Sequence, residues 1–254
     1  MLTTTTRALR RTAVFATLGA AGLLVACGGG DKAITAEQAP AVAAAALLTS
    51  ADLPAGDWAV TEGTPGDDSD SASDDIFSGA PSCAQFEAAF EGLAASTDVE
   101  PLAEASRDLD GGDEQSLILR QVTTSVAVMP EDYDTAGRVK EMRDLFTAEA
   151  LKPCFEEGFA ASFGTEGVTI NSLEVTNPTV KANADAGAIA VDMDALAIIL
   201  PIKLHMEIHF WSEGQVGGTL LFMELNSDLL QTNQKAIVDA AAKRVTDAIE
   251  AAAK

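Results

Sequence analysis

Residues 202–211 read Ile-Lys-Leu-His-Met-Glu-Ile-His-Phe-Trp, with a large apolar residue at every second position. A period of two is typical of a β-strand that buries one of its faces. A second apolar run at 216–225 follows a short turn, which predicts an antiparallel hairpin. The alternation extends upstream through 189–193 and 168–175, the latter only if one extra residue near Asn171-Ser172 forms a bulge. We therefore predict a meander of antiparallel strands with one solvated face.

Helical patterns flank this meander on both sides in the sequence. We predict helices at residues 35–48, from Ser82 onward, at 135–150, from Pro153 onward and at 235–250, and further strands at 58–61, 102–107 and 117–129, with a turn at 108–113. The order of these elements predicts an α+β fold in which helices pack on one face of an antiparallel β-sheet. We expect a single domain after a cleaved lipoprotein signal peptide.

The amino terminus has the features of a bacterial lipoprotein signal. Three arginines within the first eleven residues precede an apolar stretch at 12–24, which is too short to span a hydrocarbon core of about 30 Å. The stretch ends in Leu24-Val25-Ala26-Cys27, which resembles a lipobox, in which the cysteine thiol is alkylated by diacylglycerol. We predict a signal peptide at 1–26, lipidation of Cys27, a tether at 27–34 and a domain at 35–254.

The charge balance argues against nucleic acid as a partner. The chain carries 16 Lys and Arg against 39 Asp and Glu, and its formal charge of -23 becomes -26 without residues 1–26. Such a field repels phosphates. Residues 62–79 are rich in Asp, Ser and Gly, which predicts an acidic flexible loop. Calcium binding by the carboxylates at 67–75 is disfavoured because this segment lacks the glycine and the terminal glutamate of an EF-hand loop.

Two cysteines remain once Cys27 is assigned to the lipid. Cys83 and Cys154 form an even pair in a compartment outside the reducing cytosol, which favours a disulfide. Two buried free thiols are the alternative. A catalytic cysteine is less favoured because no histidine lies nearby in the sequence.

The polar side of residues 202–211 is the candidate binding face, and it consists of Lys203, His205, Glu207, His209 and Trp211. Strand positions i and i+2 lie about 7 Å apart and positions i and i+4 about 13 Å apart, so only His205 with Glu207, or Glu207 with His209, could share a metal ion. The favoured interpretation of His205, Glu207 and His209 is a solvated or hydrogen-bonded sheet face. For Trp211, packing beneath the terminal helix is favoured over exposure on a binding surface. We predict no metal site, no cofactor and no catalytic residue, because nucleophile, phosphate-loop and zinc motifs are missing from the sequence.

Several features together resemble the PknH-like extracellular sensor domain family. They are the lipobox, the segment at 47–58, Cys83 early in one helix, Cys154 after a later one, and a β-rich second half that ends in a helix. The resemblance covers about residues 35–252. Family members with two disulfides have four cysteines in the domain, whereas this chain has two. The resemblance implies a ligand-sensing module without a kinase. No residue of this chain matches a ligand-binding motif of the family.

These observations predict a lipid-anchored protein on the extracytoplasmic side of the cell membrane. We expect a non-enzymatic, sensor-like module that binds a small or lipidic ligand between the sheet and its helices. The alternative is an adaptor that contacts another envelope protein through the exposed strand face or the acidic loop. An enzyme that depends on His205 and His209 is a minor alternative.

Overall fold

The computed structural model describes residues 33–63, 80–84, 86, 88–89, 99–164, 168–178, 186–197 and 200–254. Several predictions lie outside these residues: the signal peptide 1–26, Cys27 with most of the tether, nearly all of the acidic loop 62–79 with its calcium alternative, and the continuation of the helix after residue 89. In the part of the chain that is described, no helix is both long enough and apolar enough to cross a membrane.

The described residues form four α-helices and seven strands. The helices are α1 (Ala39–Ala46), α2 (Thr135–Leu145), α3 (Ala148–Gly164) and α4 (Leu229–Ala252). The strands are β1 (Ala59–Gly63), β2 (Ala103–Asp113), β3 (Ile118–Val128), β4 (Val168–Thr176), β5 (Gly187–Ala197), β6 (Leu200–Glu213) and β7 (Val216–Leu225).

All seven strands belong to one antiparallel sheet in the order β1-β2-β3-β7-β6-β5-β4. The predicted α+β class and the antiparallel sheet are confirmed. The predicted irregularity in the first strand of the meander is also present, because the β4–β5 register shifts between Ile170 and Ser172.

Helices cover both faces of the sheet, whereas the sequence predicted them on one face only. The face that carries Trp211 and Leu220 packs against α1 and α4 and is called here the α4 face. The opposite face, which carries Met206 and Leu221, packs against α3 and is called the α3 face. Strand β7 is buried along its whole length. The prediction of one solvated face is therefore wrong for the centre of the sheet.

The hairpin β2–β3 has its turn later than predicted. Residues 108–113 continue β2, and the turn is the 3₁₀ segment Glu114–Ser116. Leu109 is fully buried opposite Val122, which holds the acidic stretch in the sheet. Gly112 has a φ of 127°, and a Cβ atom there would lie 2.2 Å from the carbonyl oxygen of Ile118, so only glycine lets the strand continue.

Helix α3 begins at Ala148, five residues before the predicted start at Pro153. The Thr147 side chain accepts a hydrogen bond from the Ala150 amide and caps the first turn. Pro153 lies inside the helix. As the sixth residue of the helix, Pro153 removes the hydrogen bond that an amide there would donate to the Glu149 carbonyl, and α3 continues in spite of this loss.

A disulfide joins Cys83 to Cys154 across a separation of 71 residues, as predicted. Their Cα atoms lie 4.6 Å apart, within the usual range for a disulfide. Ser82 reinforces this junction, since its amide donates to Glu157 at 2.9 Å and its hydroxyl donates to the Pro153 carbonyl at 3.0 Å. The bond therefore fastens the segment around residue 83 to α3 beside the core of the α3 face.

Candidate functional site

The candidate binding face predicted on β6 lies almost entirely beneath α4. Lys203 is exposed, whereas His205, Glu207, His209 and Trp211 are buried, with exposed fractions of 8%, 2%, 3% and 6%. The exposure that a binding face on this strand requires is therefore not found at His205, Glu207, His209 or Trp211, because α4 covers the polar side of β6. Their role in ligand binding stays a prediction.

Beneath α4, acidic and imidazole groups alternate in a continuous row. The Oδ1 atom of Asp192 on β5 lies 2.8 Å from Nδ1 of His205. The Nε2 atom of His205 lies 3.5 Å from Oε2 of Glu207, and Oε1 of Glu207 lies 2.7 Å from Nε2 of His209. Neither contact has hydrogen-bond geometry, so each is a close approach of a carboxylate to an imidazole that becomes an ion pair when the ring is protonated. The row links the half-exposed Asp192 to the buried His209.

This arrangement follows from strand geometry. Side chains at i and i+2 share one face about 7 Å apart, which leaves room for one carboxylate between two imidazoles. Among the described residues, no group of three His, Cys, Asp or Glu side chains is placed to hold a metal ion. The favoured interpretation of these residues as a hydrogen-bonded sheet face agrees with the contacts between Asp192, His205 and α4.

Two glutamines of α4 contact the row. The Nε2 atom of Gln234 donates to Oε1 of Glu207, and the Nε2 atom of Gln231 lies 3.5 Å from Nδ1 of His205. The two glutamines are three residues apart and therefore share one side of the helix. The polar row is thus a contact surface between the sheet and α4.

Glu224 on β7 anchors the start of the same helix. It lies opposite His205 in the register and is fully buried. Its two carboxylate oxygens accept hydrogen bonds of 2.8 Å from the backbone amides of Leu230 and Gln231. A carboxylate at this position satisfies amides that have no partner within the helix and interacts favourably with the helix dipole.

The pKa values of two members of the row shift in opposite directions. Burial alone would lower the pKa of His205, but the carboxylates of Glu207 and Asp192 outweigh burial, so the pKa is raised above 6.5. Burial alone would raise the pKa of Glu207, but His205 and His209 outweigh it, so the pKa is lowered below 4.5. Both shifts favour the charged forms.

We expect the free energy of unfolding to depend on pH through His205. A raised pKa in the folded state means that the stabilisation is complete below the unfolded value of 6.5 and is lost as the pH rises through the folded value. The lowered pKa of Glu207 gives stabilisation above 4.5 that is lost as the pH falls through its folded value. Urea unfolding from pH 5 to pH 9 should show the loss on the alkaline side.

His205→Gln should remove that alkaline loss. The matched control is Lys203→Gln, which removes a cationic side chain from an exposed position on the same face of the same strand. An unchanged slope in the histidine variant would contradict the arrangement described above.

The end of the row at His209 lies against apolar side chains. The ring of His209 meets Phe222 edge to face at 5.6 Å, and neither of its ring nitrogens has a hydrogen-bond partner. Trp211 belongs to the core cluster that α1 and α4 form with the sheet, and it faces Gly218 on β7. The favoured interpretation of Trp211, in which it packs beneath the terminal helix, is confirmed.

No known family model matches the chain, and no curated protein matches it. The chain is similar to a solved structure. That structure is the crystal structure of the extracellular domain of PknH from Mycobacterium tuberculosis, with 12% identity over 84% of this chain and 100% of that chain. The TM-score is 0.31, so this likeness carries no argument about activity or ligand.

The sequence pattern missed the partners of the histidines. Asp192 lies on a neighbouring strand, and Glu224, Gln231 and Gln234 come from β7 and α4. The alternation within β5 could have placed Asp192 on the polar face, but nothing in the sequence showed that α4 crosses that face. A second polar group, Glu104, Ser125 and Thr219, was also missed.

Proposed function

We propose that this protein is a lipid-anchored lipoprotein of the cell envelope that works on the extracytoplasmic side of the membrane. In this proposal the domain is a non-enzymatic, sensor-like module that binds a small or lipidic ligand. The diacylglycerol on Cys27 supplies the attachment to the membrane, because two or more acyl chains give a persistent anchor.

The single observation that carries the proposal is the disulfide between Cys83 and Cys154. Both cysteines are buried in the core of the α3 face. Stable disulfides form in oxidising compartments and are rare in the cytosol. The bridge therefore supports the compartment that the lipobox predicts, and the two features are independent because one lies in the leader and the other in the folded domain.

The contacts of the histidines count against catalysis by His205 and His209. His205 and His209 are buried under α4, and both lie beside the Glu207 carboxylate. A general base must come within hydrogen-bond reach of a proton on its substrate. In the described residues, α4 occupies the side of these rings that a substrate would approach.

The adaptor alternative loses one of its two predicted surfaces. The strand face at His205 to Trp211 is buried by the protein's own helix and is not free to contact another envelope protein. Such contacts would have to use the acidic segment at 62–79 or another surface. The ligand-binding proposal does not depend on that strand face.

The proposal predicts that Cys27→Ser prevents lipidation. The native chain should be shortened at Cys27 and partition into the detergent phase of a Triton X-114 extraction, and globomycin should block the shortening. The serine variant should stay uncleaved and lose its acyl-dependent partitioning. The matched control is Cys83→Ala, which removes the disulfide and leaves the lipobox intact. Unchanged processing and partitioning of Cys27→Ser would overturn the proposal.

A further inference from the structure

Helix α4 is attached to the domain differently in its first turns and in its later turns. The later turns bury an apolar stripe against α1 and the α4 face, which consists of Ile237, Ala241, Val245 and Ala248. A salt bridge reinforces this part, since Nε of Arg244 lies 2.6 Å from Oδ2 of Asp52. Apolar burial does not depend on protonation, so the stripe holds the later turns whatever the charge of the polar row.

The first turns of α4 depend on the polar row instead. Between residues 229 and 236, the only buried side chain is that of Leu230. The polar contacts described above join these turns to Glu224, His205 and Glu207. The docking of the first turns therefore depends on ionisable groups, whereas the docking of the later turns depends mainly on an apolar surface.

His205 is the centre of the charges beneath these turns. The ionisable side chains on the surrounding elements are Asp192 and Asp194 on β5, Lys203, Glu207 and His209 on β6, Glu224 on β7, Arg120 opposite it on β3, and the exposed Asp228 and Lys235 at the start of α4. Protonated His205 lies between two carboxylates, because its ring nitrogens are 2.8 Å from Asp192 and 3.5 Å from Glu207. Loss of the proton removes the cation between them. Carboxylates without a cation are then stabilised by water, which reaches them when the helical turns above move away.

The pKa of His205 sets the direction of the effect. Burial alone would lower this pKa, but Glu207 and Asp192 outweigh burial and raise it above 6.5. When the first turns of α4 open, water screens both carboxylates and the pKa returns toward its ordinary value of 6.5. The docked state therefore binds the proton more tightly, so docking is strongest below pH 6.5 and weakens as the pH rises through the docked-state pKa.

We propose that the first two turns of α4, residues 229–236, form a proton-controlled latch over the polar row. The latch is closed while His205 is protonated and opens at alkaline pH, while the later turns stay docked. Opening uncovers the polar side of β6, including Glu207, which α4 closes to partners in the docked state. This inference goes beyond the proposed lipoprotein function and does not depend on the lipidation of Cys27.

The test is hydrogen exchange of the full-length chain in a neutral detergent at pH 6.0 and pH 8.5. Dividing the intrinsic exchange rate of each amide by its measured rate gives a protection factor and removes the direct effect of pH on exchange. At pH 8.5, protection of amides 230–236 should be about tenfold or more below that of amides 241–248 and depend only weakly on low urea concentrations, because the latch opens without unfolding of the domain. It should fall by about fivefold from pH 6.0 to pH 8.5, the ratio expected when a hydrogen bond to a charged group becomes neutral.

Two variants with matched controls assign this fall to His205. His205→Gln should abolish it, whereas Lys203→Gln should keep it, since that change removes a cation from an exposed position on the same strand. Asp192→Asn spares the core, because the side chain is 46% exposed, and it should reduce the fall to about twofold by removing one of the two carboxylates beside the ring. Asp194→Asn is its control, since it removes the same charge from an exposed position two residues along β5.

Three results would overturn the latch. Equal protection of the two parts of α4 would show that the helix leaves the sheet only when the domain unfolds. Protection of amides 230–236 that does not change with pH would show that no proton controls the opening. A fall that persists unchanged in His205→Gln or in Asp192→Asn would show that the controlling proton lies elsewhere. The processing of Cys27 is a separate readout, so failure of the latch leaves the lipoprotein proposal standing.

Discussion

Replacing Cys83 and Cys154 together by alanine is expected to lower the free energy of unfolding by about 4 kcal/mol, because the loop-entropy relation gives about that value for a bridge that closes 71 residues. The bridge restricts the unfolded chain, which regains conformational entropy when the link is removed. A loss of this size is a large fraction of the 5–15 kcal/mol by which a domain is typically stable.

The measurement is urea unfolding followed by the fluorescence of Trp58 and Trp211. The native chain in detergent serves as the reference, and because its Cys27 thiol is alkylated in this account, only Cys83 and Cys154 can take part in thiol exchange. Treating the reference with a reductant should reproduce most of the loss seen in the double alanine variant. Equal midpoints for the oxidised, reduced and alanine forms would contradict a stabilising disulfide.

Glu224→Ala is expected to cost about 2–4 kcal/mol, because it leaves two backbone amides at the start of α4 without an acceptor in a buried place. The same change removes a negative charge from the positive end of the helix dipole. The first turn of α4 should loosen before the rest of the helix. Faster amide hydrogen exchange at Leu230 and Gln231 would therefore accompany the loss of stability.

Glu250→Ala is the matched control for this prediction. It removes a glutamate from an exposed position near the other end of the same helix, where no such cap exists. We expect a change within about 0.5 kcal/mol there, as for most surface substitutions. If the two variants had equal stability, the contacts between Glu224 and α4 would contribute nothing to docking the helix.

The alternation in residues 202–211 predicted a strand correctly but not its surroundings. A hydrophobic period of two residues shows which side chains lie on the same face of the strand. Leu204, Met206 and Ile208 are buried on one face, as expected. It does not show whether the polar face meets water. His205 and Glu207 are tolerated under α4 because Asp192 and Gln234, which are distant in the sequence, supply polar partners for them.

The other differences between the predicted and the observed element boundaries also arise from contacts that the local sequence does not show. The Asp-Leu-Asp-Gly-Gly-Asp stretch at 108–113 has the composition of a turn, yet Leu109 is buried and keeps it in β2. Pro153 was read as a helix start, whereas Thr147 caps the helix earlier. By contrast, the start of the first predicted helix depends on local contacts, because Thr35 and Gln38 bond reciprocally just before α1, with the Thr35 amide donating to Gln38 at 3.0 Å.

The polar group on the α3 face was not visible in the sequence at all. Glu104, Ser125 and Thr219 are far apart along the chain, and they meet only because β2, β3 and β7 are neighbours in the sheet. Serine and threonine are ordinary residues in strands. That their Oε1, Oγ and Oγ1 atoms have no hydrogen-bond partner among the described residues could not be seen in the sequence.

The central claim, a domain fixed to the outer side of the membrane by lipid on one cysteine, is tested most directly by the mass of its amino-terminal peptide. Mass spectrometry of the chain extracted from membranes should find a peptide that begins at Cys27 and carries a diacylglyceryl group. An amino terminus upstream of Cys27, or an unmodified Cys27 thiol on the membrane-extracted chain, would contradict the account.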